Sequence, residues 1–156
     1  MQKTRIMNYL HEDRVISELQ GTDKLSVVEE LSRVLMKSCQ VASYEEIARI
    51  LLDREKLQST GIGDGIAIPH GRLKGLKDFV LSFGRSSKGV DFDSSDHKPT
   101  HLFFIVVAPE NLAANNLGLL SRIVTLLKNT SFRKRLMEAR SREELFQRIS
   151  EEDEKY

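Results

Sequence analysis

Apolar residues recur at helical spacing toward both ends of the chain and at strand spacing in its middle. Val27, Val28, Leu31, Val34 and Leu35 fall on one face of a helix. Ser26, with Glu29 three residues later, has capping-box spacing, and this helix is expected to end near Cys39. Ser43 and Glu46 repeat the signature ahead of a second stripe, Ile47, Ile50, Leu51 and Leu57. At Ser59 the pattern changes. Gly61, Gly63 and Gly65 alternate in STGIGDGIAIPHG, a backbone that no helix favours. Residues 66–68 read as a short strand ended by Pro69, residues 79–83 as a second between Gly75 and Gly84, and residues 90–92 as a short third. Residues 102–107, LFFIVV, form a continuous apolar run, the pattern of a strand covered on both faces.

Helical spacing then returns. Leu117, Leu120, Ile123, Val124 and Leu127 fit one face of a long helix beginning after Pro109. Thr130 or Ser131 is placed to cap a short helix carrying Leu136 and Met137, and Ser141 with Glu144 precedes Leu145, Phe146 and Ile149. The tail at 151–156, EEDEKY, is expected to fray. The order predicts one layered α/β domain over residues 1–150: a small mixed β-sheet with helices on both faces, mixed because some strands lie too close in sequence for a helical crossover.

Composition narrows the function. The length of 156 residues fits one domain. With 24 basic against 23 acidic residues the net charge is +1, which argues against a dedicated nucleic-acid binder. A hydrophobic content of 40% argues against disorder. The single cysteine, Cys39, makes no internal disulfide and suits a reducing compartment, the cytoplasm. The longest apolar run, 102–109, falls far short of the roughly 20 residues of a membrane span. The start, MQKTRIMNYLHEDR, lacks the apolar core of a secretory signal, so no membrane insertion is expected.

Candidate chemistry gathers at the glycines and just after them. G-I-G-D-G matches neither the dinucleotide fingerprint nor a P-loop. It serves either as a tight connection between helix and sheet or as a cradle whose N–H groups, from Gly61 and Gly63, turn toward an anion. His70 lies between Pro69, which fixes the backbone, and Gly71, which leaves room beside the ring. A neutral imidazole has a free nitrogen lone pair and can take a phosphoryl group as nucleophile. Taken alone, a histidine at a strand end is more often satisfied by one hydrogen bond. His97 and His101, with Asp91, Asp93 and Asp96 upstream, carry metal-ligand chemistry, but Pro99 breaks any helical spacing and no ligand motif supports a metal. The basic run Arg133, Lys134, Arg135 reads as a solvated helix face rather than a nucleic-acid patch.

The stretch Arg54, Glu55, then Ser59 to Gly71, RExxxSTGIGxGIAIPHG, resembles the signature of the type-2 enzyme IIA domains of the phosphoenolpyruvate-dependent phosphotransferase system, in its fructose, mannitol and nitrogen-regulatory branches. Lys24 ahead of the opening helix, the strand ending in Ala108-Pro109 and the closing SREELFQRIS fall in the same order, so the resemblance covers almost the whole chain. It implies that His70 is the active-site histidine. There it accepts a phosphoryl group from phosphorylated HPr, the histidine-containing phosphocarrier protein, or a nitrogen-branch equivalent. It further implies that Arg54 is the active-site arginine, whose planar guanidinium suits phosphoryl oxygens. Thr60 is expected to add a hydroxyl donor to the same anion, with helix-end capping of equal weight.

Many members carry a second active-site histidine early in the helix after Ala-Pro. Asn116 takes its place here, and an amide hydrogen-bonds a neighbouring imidazole or phosphoryl oxygen without carrying charge. The resemblance implies no metal and no cofactor, since the phosphoryl group passes between imidazoles. Onward partners are a IIB protein or a regulatory target. No permease helices and no IIB domain follow in this sequence, which favours the stand-alone, nitrogen-regulatory layout. A regulatory protein-binding module with little onward transfer is the alternative.

Overall fold

The computed structural model describes residues 5–36, 42–110 and 116–155, the side chains of 116 and 117 excepted. Two 3₁₀ turns, Ile6–Asn8 and Glu12–Arg14, lead into β1 (Val15–Ile16). Helices α1 (Lys24–Leu35) and α2 (Tyr44–Leu57) follow. Next come β2 (Gly61–Gly63), β3 (Ile66–Ala67), β4 (His70–Leu73), β5 (Val80–Val90) and β6 (Thr100–Pro109). Helices α3 (Asn116–Leu127), α4 (Thr130–Glu138) and α5 (Arg142–Glu154) close the chain.

The six strands form one mixed sheet in the order β1-β5-β6-β3-β2, with β4 also paired to β6. β5 and β6 run antiparallel as the long central pair, whereas β3 and β4 both run parallel to β6 along its other side. The alternation of β6 sorts its side chains into two cores. Leu102, Phe104, Val106 and Ala108 join α3, α4 and α5 on one face. Phe103, Ile105 and Val107 join α1 and α2 on the other. The apolar run of β6 is therefore a strand buried on both sides, as its lack of polar alternation requires.

Boundaries differ from expectation where a nearer capping group wins. Asp23, not Ser26, caps α1: its carboxylate accepts the Ser26 N–H at 2.8 Å, and the Ser26 hydroxyl takes the Asp23 N–H in return. α1 ends at Leu35, short of Cys39, which lies outside the described residues. Asn129 rather than Thr130 or Ser131 caps α4. Ser43 and Ser141 cap α2 and α5 as their spacing predicts. Of the expected third strand at 90–92, Val90 is the last residue of β5 and Asp91 makes an isolated bridge to Asp23.

The tail at 151–156 does not fray as far as it is described. α5 continues to Glu154, and Glu152 and Asp153 are buried. Asp153 accepts the Met7 N–H and pairs with Arg122 at 2.6 Å, while its carbonyl receives Arg5 at 2.8 Å. Glu152 pairs with Arg135 at 2.6 Å. The run expected to fray instead supplies partners for three half-buried arginines, Arg5, Arg122 and Arg135.

Candidate functional site

Pro69 supplies no N–H, and it stands where the chain passes from β3 to β4 along β6. At this break the Ile68 carbonyl is taken by Nδ1 of the His70 ring, at 2.8 Å. A carbonyl only accepts, so Nδ1 carries the ring proton and Nε2 holds the free lone pair. His70 is half-buried and opens β4.

β4 alternates around this histidine. His70 and Arg72 pair with Val106 and Ala108 of β6 and so share the face of α3. Gly71 and Leu73 point to the opposite face, toward α2. A Cβ at Gly71 would lie 2.7 Å from Cγ2 of Ile50, so only glycine lets α2 approach β4 this closely. That approach brings the C-terminal turn of α2, with Arg54, to the edge of the strand that carries His70.

The result is an open cleft of about 640 Å³. Its lining is largely apolar: Phe79, Val106, Ala108, Leu120, Ile50 and Leu57. Leu57 is 82% exposed, so its side chain forms a free apolar rim. Three nitrogen-bearing side chains enter this setting, His70, Arg54 and Arg72. Arg54 is half-buried and donates to the Gln58 carbonyl at 2.9 Å. Asp53 is the acidic lining residue, within 3.5 Å of Lys56 and 3.9 Å of Arg49. The arrangement offers a nucleophilic nitrogen in a shallow, mostly apolar depression with guanidinium groups beside it, which suits acceptance of an anionic group from a docked surface.

The structure brings together His70 and Arg54 but not the glycine loop. Gly63, Asp64 and Gly65 all have positive φ and make the turn between β2 and β3. The Gly65 carbonyl accepts the N–H groups of His101 and Leu102, whereas His70 pairs with Val106. Four strand residues separate the two points, about 13 Å. Two of the loop's donors are also taken. The Gly61 N–H goes to the Ser59 hydroxyl at 3.0 Å, and the Asp64 N–H goes to the Asp96 carboxylate at 3.1 Å. Hydrogen bonds to its carboxylate, first that from the Lys98 backbone and then those from Ser94 and Asp64, hold the Asp96 carboxyl below the usual carboxylate range.

Thr60 is buried, and both its N–H and its hydroxyl donate to Glu55. Thr60, Gly61 and Gly63 are not among the residues that line the cleft of His70 and Arg54, and the N–H groups of Thr60 and Gly61 are taken by Glu55 and Ser59. Glu55 in turn takes the Lys24 ammonium at 3.1 Å, which ties the starts of α1 and β2 to the end of α2.

Asn116 opens α3, and its side chain lies outside what is described. His101 Nδ1 is bound to the Ser86 carbonyl at 2.8 Å, and Asp93 pairs with Lys24 at 3.2 Å. Among the described residues no three His, Cys, Asp or Glu side chains gather to hold a metal ion. Arg133 caps the carbonyls of Leu127 and Lys128, both at 2.9 Å, so this member of the basic run has a structural task. Arg72, Leu57 and Phe79 also line the cleft; Leu57, expected in the apolar stripe of α2, is instead exposed, and Arg72 was not singled out from sequence. Arg72 shares a face with His70 only because residues 70–73 form a strand, which the sequence pattern ends at Pro69.

A family model described as the phosphoenolpyruvate-dependent sugar phosphotransferase system, EIIA 2, matches residues 8–152. A fructose-specific EIIABC component of Bacillus subtilis is 35% identical over 149 residues, 96% of this chain; the chain spans 24% of that relative's length. A nitrogen regulatory protein of Bradyrhizobium diazoefficiens is 33% identical over 136 residues, 86% of this chain and 87% of the relative. The crystal structure of nitrogen regulatory protein IIA-Ntr from Neisseria meningitidis superposes with a TM-score of 0.86 at 34% identity, covering 92% of this chain and 98% of that one. No described helix is long and apolar enough to cross a membrane.

Proposed function

The chain belongs to the phosphoenolpyruvate-dependent sugar phosphotransferase system EIIA 2 family, and from that membership we propose that it is a histidine phosphocarrier loaded at Nε2 of His70. The observation that carries the reading is the 2.8 Å contact between His70 Nδ1 and the Ile68 carbonyl, which leaves Nε2 as the nucleophile facing an open cleft. The donor is phosphorylated HPr or its nitrogen-branch equivalent. Its surface docks against the apolar rim at Leu57, and the exchange takes place in the cytoplasm.

The chemistry is an exchange of one P–N bond for another. The Nε2 lone pair forms a bond to phosphorus while the bond to the donor imidazole breaks, its electron pair remaining on the donor nitrogen. Nδ1 keeps its proton, and the Ile68 carbonyl accepts the hydrogen bond more strongly as the ring becomes cationic. Arg54 offsets the charge on the moving phosphoryl oxygens. No metal or cofactor takes part in this step.

Incubation with phosphoenolpyruvate, enzyme I and HPr should add one acid-labile phosphate. His70→Ala should abolish labelling; full labelling at another residue overturns the assignment. Arg54→Ala should slow labelling about 100-fold or more, the scale of losing a transition-state charge donor, while melting stays unchanged. Equal rates would remove Arg54 from the mechanism.

A regulatory role is favoured by the near full-length likeness to nitrogen regulatory proteins. Phosphorylation would then place roughly two negative charges at the cleft and change which partner docks. Transfer from phospho-His70 to a IIB protein supports transport. A partner bound differently by wild type and His70→Asp, without onward transfer, supports regulation.

A further inference from the structure

Arg72 has no part in the mechanism derived above, yet it shares the cleft with His70. The two residues stand two apart on β4, so their side chains leave the same face of the strand, with Cα atoms about 6.6 Å apart. Arg72 is exposed, and among the described residues its guanidinium makes one long hydrogen bond, 3.5 Å, to the Glu110 carbonyl. The one acidic lining residue, Asp53, already has Arg49 and Lys56 beside it. Arg54 reaches the cleft from α2, across the strand edge. A group bonded to Nε2 of His70 is thus approached by cations from two elements, one on the helix and one on the histidine's own strand.

We infer that Arg72 is a second phosphoryl-binding residue, which holds the phosphohistidine once it has formed and so sets how far the exchange lies toward this chain. Arg54 comes from an independently packed helix and suits the moving charge. Arg72 is fixed to the histidine by two residues of strand and suits the resting product. Its guanidinium trades a weak contact with a neutral carbonyl for a charge-assisted one with phosphoryl oxygens. The inference rests on the phosphocarrier reading of His70.

The test measures the equilibrium distribution of radiolabelled phosphate between HPr and this chain, with purified full-length proteins. Wild type, Arg72→Gln, Arg72→Lys and His70→Ala are compared well below their melting temperatures. Arg72→Gln should shift the distribution toward HPr about tenfold, the worth of one charge-assisted hydrogen bond at an exposed site. Arg72→Lys keeps the charge without the planar fork and should recover part of that shift. High salt should weaken the wild-type preference and leave Arg72→Gln nearly unaffected. A fold defect would move the melting curve and would not be rescued by lysine. An unchanged distribution in Arg72→Gln, with His70 still labelled, overturns the role of Arg72 alone. A wild-type chain that takes no label, or His70→Ala labelled in full, overturns the phosphocarrier reading and this inference with it.

Discussion

Gly71 stands between the two groups that the proposed exchange needs. It follows His70 in β4, and its missing side chain is the space into which Ile50 of α2 packs. Alanine there would place a Cβ 2.7 Å from Cγ2 of Ile50, well inside contact distance. Either α2 or β4 must give way, and both are otherwise fixed, α2 by Leu51 and Ala48 in the core and β4 by its ladder to β6. Gly71→Ala should therefore destabilise by about 1–3 kcal/mol, as overpacking does. It should also slow labelling of His70 by phosphorylated HPr, because the helix that recoils is the one carrying Arg54. Denaturant melts and labelling time courses on the same preparation check both; a variant that labels at the wild-type rate would separate the packing of α2 from the chemistry. From sequence alone, Gly71 was legible as room beside the imidazole. The room is in fact on the opposite face of the strand, and only the alternation of β4 reveals this. Arg72 was passed over for a related reason: the expected strand ended at Pro69, so nothing put residues 70 and 72 on one face.

At the scale of elements, capping chemistry was easy to place and β-structure was not. Ser43 and Ser141 announce their helices because a hydroxyl three residues before an acidic side chain answers the first orphan N–H groups. β6 announced itself because a strand buried on both faces cannot hide its apolar run. β2 and β4 did not, since a three-residue glycine strand and a strand beginning at His70 carry no hydrophobic period; the ladder to their neighbours makes them strands. The start of α1 shows a competition between near-equal signals. Ser26 has cap spacing, but Asp23 three residues earlier offers a carboxylate to the same turn, and a full charge near a helix N-terminus is the stronger partner.

That choice has a pH signature. The hydrogen bonds from Ser26, side chain first and backbone second, hold the Asp23 carboxyl below its ordinary value of 3.8. A carboxyl lowered in the folded state adds stability above the unfolded value and loses it as pH falls through the folded one. The stabilisation should therefore be complete at pH 7 and fade below about pH 4. Asp23→Asn keeps a capping oxygen without the charge. The drop in melting temperature from pH 7 to pH 3 should be smaller in Asp23→Asn than in wild type. Equal drops would show that the cap is not held by charge.

Over the whole molecule, two buried carboxylates join distant parts of the chain, one beneath each face of the sheet. Glu55 ties Lys24 to Thr60 on the side of α1 and α2. Asp153 ties the opening 3₁₀ turn to α3 and α5 on the other. The tail at 151–156 reads as fraying in sequence because composition cannot tell a charge facing water from one facing an arginine across the fold. The partners, Arg5 and Arg122, are 148 and 31 residues away, beyond any local pattern. Removing the carboxylate leaves the Met7 N–H without its acceptor and takes a 2.6 Å ion partner from Arg122, whose side chain is only 12% exposed. Breaking one side of a buried pair costs about 3–5 kcal/mol. Asp153→Ala should then lower the melting temperature by roughly 6–20 °C for a chain of this size. Glu151→Ala, at an exposed position of the same helix, should change it little. Leu120 lies two residues before Arg122 on α3 and lines the His70 cleft, so loosening α3 also reaches the docking surface. For Asp153→Ala, labelling of His70 should fall more on warming from 15 to 35 °C than in wild type. Melting temperatures of Asp153→Ala and Glu151→Ala that coincide would mean that the end of α5 contributes no more than solvated helix, and that the termini are held together by other contacts.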